Sequence, residues 1–160
     1  MIVFCTNSCF SLLGSQYQGI DAREVLSSVE RLDATGNKLT LPRPIHQSHH
    51  QLEGRVNGLH EMGCTTLGPA LYLSVKLAGR VPGSRVVLCT DGCANEGLGN
   101  IVGRSHIRGM MGADFYPFVG EMAKKLGVVV NILTFKGCWQ KRIFYREISI
   151  INPLFSISIP

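Results

Sequence analysis

The sequence predicts an α/β fold, with a doubly wound, mostly parallel central sheet and helices on both faces. Three observations carry this. Ile2–Thr6, Val86–Leu88 and Val128–Phe135 are short apolar, β-branched runs without polar alternation, as in strands buried on both faces. Between them lie segments whose apolar residues recur at helical spacing. The order is strand, helix, an irregular region, helix, strand, helix, strand, and that alternation is the signature of a parallel sheet between helical layers.

Taken in order, Ile2–Thr6 reads as a short buried strand. Asp21 to Leu32 reads as a helix, with Ala22, Val25, Leu26 and Val29 on one face and Asp21 as its cap. From 33 to 60 the pattern weakens. Pro42 and Pro44 break it, Leu39–Leu41 reads as a short edge strand, and His46, His49 and His50 give a solvated loop. Gln51–Met62 reads as a short helix interrupted by Gly54 and Gly58. Leu67, Leu71, Val75 and Ala78 then trace a helix with Pro69 in its first turn, where a missing N–H costs little. Pro82 and Gly83 turn the chain into the strand that ends at Asp91. Cys93–Ala113 is a long glycine-rich loop, a length that compact domains keep for function or mobility. Phe115, Phe118, Val119, Met122, Ala123 and Leu126 trace one face of the next helix, which Gly127 ends. Residues 1–137 therefore read as one domain, and 138–160 as a divergent apolar tail, either an edge hairpin at Asn152-Pro153 or an exposed segment.

The 160 residues suffice for one real core, and 45% hydrophobic against 17% charged residues exclude a disordered chain. The net charge of +5 is modest and scattered, apart from Lys136, Lys141, Arg142 and Arg146. No arginine-rich run alternates with aromatics, which argues against nucleic acid. No apolar stretch has the length of a membrane span, and the amino terminus lacks the basic start of a signal peptide. Six cysteines, several within apolar runs, suit free thiols in a reducing compartment, so a cytoplasmic location is expected.

Asp91 is the most pointed residue. It stands where a buried strand stops, and Gly92 lets the backbone turn away. Ligands of open α/β sheets bind beyond such strand ends. Asp91 is an anion for a hard cation there, or the cap of the following turn.

With these elements placed, the chain resembles the von Willebrand factor A family, a Rossmann-like doubly wound fold. The carrying stretches are GCTTLGPALYLSVKLA (63–78), VVLCTDGCANEGLG (86–99) and FYPFVGEMAKKLGVVVNILTFKG (115–137). The resemblance implies a metal-ion-dependent adhesion site at the carboxyl edge of the sheet, with Asp91 and Thr65 as ligands. Asn7, Cys9 and Ser11 fall on the family's Asp-x-Ser-x-Ser run. It also implies a rim of Thr66, Gly92, Asn95 and Glu96 that meets a partner. The arrangement likewise resembles the trunk domains of vesicle-coat proteins. The departures are specific. Asn7 brings no charge and Cys9 is a soft ligand, so the implied Mg²⁺ site is weak. The region 33–60 has too little β character for the family's second and third strands.

Other constellations are weaker. Cys9, Cys64 and Cys93 near one sheet edge read as packing residues before a Zn²⁺ cluster. Gly97-x-Gly99 lacks the GxxxxGK[ST] phosphate-loop pattern. No GxSxG elbow or carboxylate pair supports catalysis. The sequence thus predicts a non-enzymatic protein-interaction module that binds a partner's acidic side chain at the Thr65/Asp91 edge. The alternatives are a metal-free scaffold subunit of a larger assembly and a hydrolase on a doubly wound sheet.

Overall fold

The computed structural model describes residues 3–6, 9–12, 20–21, 27–41, 43–58, 65–90, 94–101, 110–134 and 155–158. Strands β1 (Val3–Thr6), β2 (Cys9–Leu12) and β3 (Ile20–Asp21) form an antiparallel sheet in that order. Helices α1 (Val29–Lys38), α2 (Ile45–Asn57) and α3 (Leu67–Ala78) follow. Strand β4 (Arg85–Thr90), helix α4 (Gly112–Leu126), strand β5 (Val129–Thr134) and strand β6 (Phe155–Ser158) complete the described elements. The sheet β4-β5-β6 is parallel throughout, with Val86 opposite Val130 and Ile132 opposite Ile157.

The α/β class and the parallel arrangement of β4 and β5 are therefore present. The single doubly wound sheet is not what the described residues form, because β1 pairs with β2 in a separate antiparallel sheet. Nor is β4 buried on both faces. Val86 and Thr90 are covered, whereas Val87 is 55% exposed and Cys89 is an exposed free thiol. In β6, Phe155 and Ile157 share register with the core positions Val130 and Ile132, while Ser156 pairs with Asn131. That apolar/polar alternation belongs to a sheet with one core face. The tail's Phe155–Ser158 is a strand parallel to β5; the turn at Asn152-Pro153 lies outside the described residues.

Helix α3 organises the core. Its residues are apolar nearly all round, which marks a helix enclosed on every side. Leu67, Ala70, Leu71, Tyr72, Leu73, Val75 and Leu77 are each 3% exposed or less. It packs against α1, α4, β1 and β4. Each such leucine or valine taken out of water contributes about 2 kcal/mol, so α3 anchors whatever its two ends touch. Phe115, Tyr116, Val119 and Ala123 of α4 complete the layer, whereas Phe118 and Leu126 lie at its border, each 40% exposed. Gly127 takes the left-handed conformation (φ 65°) expected of a helix stop.

The stretch from 21 to 60 departs most from its expected elements. Asp21 lies in β3, and α1 starts only at Val29, because Ser28 adopts an extended conformation and its Oγ accepts from the Arg31 N–H at 3.3 Å. Leu39–Leu41 is not a strand; Leu39 is a buried anchor just beyond α1. The histidines expected in a loop lie on α2, which begins immediately after Pro44 and ends at Asn57.

Candidate functional site

Beyond the carboxyl end of β4, the segment Ala94–Ile101 meets the two residues that lead into α3. Thr65 donates its backbone N–H to Asn95 Oδ1 at 2.7 Å. The Thr65 carbonyl accepts from the N–H groups of Asn95 (3.1 Å) and Glu96 (3.3 Å). Asn100 Nδ2 donates to the Asn95 carbonyl at 3.0 Å, and the Ile101 N–H donates to the Ala94 carbonyl at 3.1 Å, closing the segment on itself. Its far end is tied to the start of α4. Gly99 N–H donates to the Met110 carbonyl at 2.9 Å, and Gly112 N–H to the Asn100 carbonyl at 3.0 Å. Asn100 and Thr66 are buried at 2% and 0% exposure, while Thr65, Asn95 and Glu96 are half-buried.

Glycine makes this approach close. A Cβ on Gly68 would lie 2.2 Å from the Leu98 carbonyl oxygen and 2.9 Å from Phe115. Gly99 has φ +77° and lies with its Cβ direction against Phe115 and the Gly68 Cα. The first turn of α3 and the loop after β4 are thus in backbone contact, and a side chain at either glycine has no room.

A second polar cluster sits farther along α3. Tyr72 donates its hydroxyl to Asp33 Oδ1 at 2.7 Å, and Lys76 Nζ reaches the same oxygen and the Asp33 carbonyl. Arg80 donates to the Gly36 and Leu39 carbonyls, satisfying groups that α1 leaves open at its C-terminus. The bonds from Lys76 and then Tyr72 hold the Asp33 carboxyl below its ordinary range. Burial, then the bond to Asp33, pushes the Tyr72 phenol up. No sequence signal singled out this cluster, since its members are about forty positions apart.

Of the residues predicted for the site, Thr65, Thr66, Asn95 and Glu96 do come together. Asn95 is not a free rim residue, because the Thr65 N–H takes its side-chain oxygen. Cys9 and Ser11 lie in β2, paired with Thr6 and Phe4, and so are not in a ligand loop after the first strand. Asn7, Asp91 and Gly92 lie outside the described residues, as do Cys64 and Cys93 of the cysteine grouping. Among the described residues, no three His, Cys, Asp or Glu side chains are grouped to hold a metal ion, and no helix is long and apolar enough to cross a membrane.

The fold and the joint define an α/β protein whose strand-end loop is fastened to a central helix. No known protein-family profile matches the chain. A protein of Dictyostelium discoideum described as circularly permutated Ras protein 1 is similar to it, 29% identical over 144 residues, covering 85% of this chain and 17% of that protein. The chain therefore spans less than a fifth of that relative's length.

These comparisons overturn the von Willebrand factor A resemblance: no profile supports it, and the similarity runs to a Ras protein. The metal-ion-dependent adhesion module falls with it. The motifs that suggested it, TDG at 90–92 and GxTxLGxAL at 63–71, are short patterns that an α/β fold can carry without that function.

Proposed function

We propose that this chain is an α/β segment of a Ras-related signalling protein, in which the turn into α3 is a structural joint and not a phosphate loop. The relative's name supports the setting. The observation that carries the local role is the Leu98 carbonyl lodged against Gly68. Gly63 and Gly68 have the spacing of a phosphate loop, but Pro69 and Ala70 stand where the lysine and the Ser/Thr belong. A phosphate loop needs a cationic side chain and free N–H donors; this turn has no lysine, and a carbonyl acceptor fills the space beside its glycine. Its chemistry is that of a structural joint.

The parallel sheet also has a bare side. Parallel sheets are normally covered on both faces, yet Val87 and Cys89 are exposed. In a protein several times longer than this chain, the remainder is the natural cover for them.

The relative's printed name favours a second reading, in which this chain contributes directly to a nucleotide site. Ras proteins hydrolyse GTP with Mg²⁺ bridging the phosphates. Mg²⁺ would then enter with the nucleotide, and the expectation of a non-enzymatic chain would fail. Titration of the chain with fluorescent GDP and GTP analogues in Mg²⁺ separates the two. The structural-joint reading expects no saturable signal. Saturable binding that unlabelled GTP displaces and EDTA weakens would replace it with the nucleotide reading.

A further inference from the structure

The histidines of α2 are placed by the helix in a way that a loop would not allow. At about 100° per residue, His46 and His50 lie one turn apart on one face, with His49 and Glu53 flanking them. All four are exposed. The opposite side is the packed one: Ser48 is 4% exposed, and its Oγ donates to the Pro44 carbonyl at 3.1 Å. The His49 and His50 rings lie against each other, with centroids 3.9 Å apart and planes tilted by 39°. Binding a cation together with His46 would turn the His50 ring away from this contact.

We infer that His46 and His50 form a two-imidazole chelate for a late first-row divalent cation of the Zn²⁺ class. Histidines at i and i+4 on a helix aim their ring nitrogens at a common point above one turn. Imidazole selects zinc, copper or nickel over magnesium and calcium. Glu53, one turn further on, adds a negative charge to the same face. The described residues offer no group of three ligands, so two imidazoles bind and water fills the other positions. Such a site is open and accessible to a further ligand from outside the chain.

The test is calorimetric titration of the full chain with Zn²⁺, repeated on His46→Ala, His50→Ala and His49→Ala, with helicity checked by circular dichroism. Binding by cysteine thiols is common to all four proteins and cancels in the comparison. Beside any thiol class common to all four proteins, the chelate predicts one class of sites whose affinity falls at least tenfold in His46→Ala and in His50→Ala, and changes little in His49→Ala. Identical isotherms in all four proteins would overturn it, as would an equal loss in His49→Ala. Because the three positions are exposed, retained helicity is expected, and a lost site then reports a lost ligand.

Discussion

Helix α3 is joined to its neighbours in two different ways at its two ends. At the N-terminal turn, Gly68 meets the Leu98 carbonyl, and Thr65 is fastened to Asn95 and Glu96 by three hydrogen bonds. From one turn later onward the contacts are long side chains. Tyr72, Lys76 and Arg80, at four-residue spacing, reach Asp33, Gly36 and Leu39 of the α1 region. The first joint depends on the absence of atoms, the second on flexible groups that carry charge. Backbone cannot move aside for an added methyl, whereas a lysine stem can. The two ends should therefore answer similar substitutions very differently.

Gly68→Ala should have the largest effect. Its Cβ would sit 2.2 Å from a backbone oxygen, so either α3 or the 94–101 segment must shift, at a cost of about 3 kcal/mol. A urea unfolding midpoint measures this, and an unchanged midpoint would break the contrast at once. Asn95→Ala comes next. It strands the Thr65 N–H bonded at 2.7 Å, with an expected loss of about 1–3 kcal/mol. Asn95→Asp keeps an acceptor and should lose less. Equal losses in the two variants would show that the side-chain oxygen is not what fastens the joint.

The two joints also differ in how far the sequence discloses them. The elements around the first were legible. Leu67–Ala78, the strand before Asp91 and the Gly127 stop all follow from apolar periodicity and glycine placement, local signals that tertiary contacts reinforce. Thr65 is hydrogen-bonded to Asn95 and Glu96, a tie that no local signal in the sequence shows. Asn95 looked like a rim group because nothing local shows that its oxygen is consumed by a residue thirty positions away. The second joint was invisible for the same reason. Asp33, Tyr72, Lys76 and Arg80 are ordinary polar residues until α1 and α3 are packed. The start of α1 at Val29 was missed because the apolar spacing shows no break where Ser28 caps the helix; Ala22, Val25 and Leu26 lie outside the described residues. The short motifs TDG and GxTxLGxAL carried the family resemblance too far, since such glycine- and threonine-marked turns recur wherever a strand end or a helix start needs them.

Asp33→Asn probes the second joint through pH. In the folded chain the carboxyl is held low by Lys76 and then Tyr72. A depressed folded value contributes stability above the ordinary carboxyl range, near 3.9 in unfolded chains. That contribution is lost as pH falls through the lower folded value. The Asp33 side chain is 48% exposed, so solvent screening limits the effect to about 1 kcal/mol or less. Unfolding midpoints of the two proteins should differ at neutral pH and converge on acidification. A gap that persists undiminished at low pH would mean that the charge of Asp33 contributes nothing.

Gly36→Ala should have the smallest net effect, and it sharpens the comparison with Gly68→Ala most. Both add one methyl to a buried helical glycine. At Gly36 the methyl would lie 2.6 Å from Lys76 Cδ and 3.3 Å from Leu73 Cδ2, so the obstacle is side chain and not backbone. Alanine also favours the helix over glycine by up to about 1 kcal/mol, which offsets the cost of moving the lysine stem. The expected change in urea midpoint is close to zero. The offset depends on how tightly Lys76 is held by Asp33, so the two sites should couple. In an Asp33→Asn background the lysine loses its ion pair and keeps only neutral acceptors such as the Asp33 carbonyl, so Gly36→Ala should become more favourable than it is alone. Strict additivity of the pair would show that Lys76 is already free to move, and that the second joint owes its position to Arg80 and Tyr72 alone.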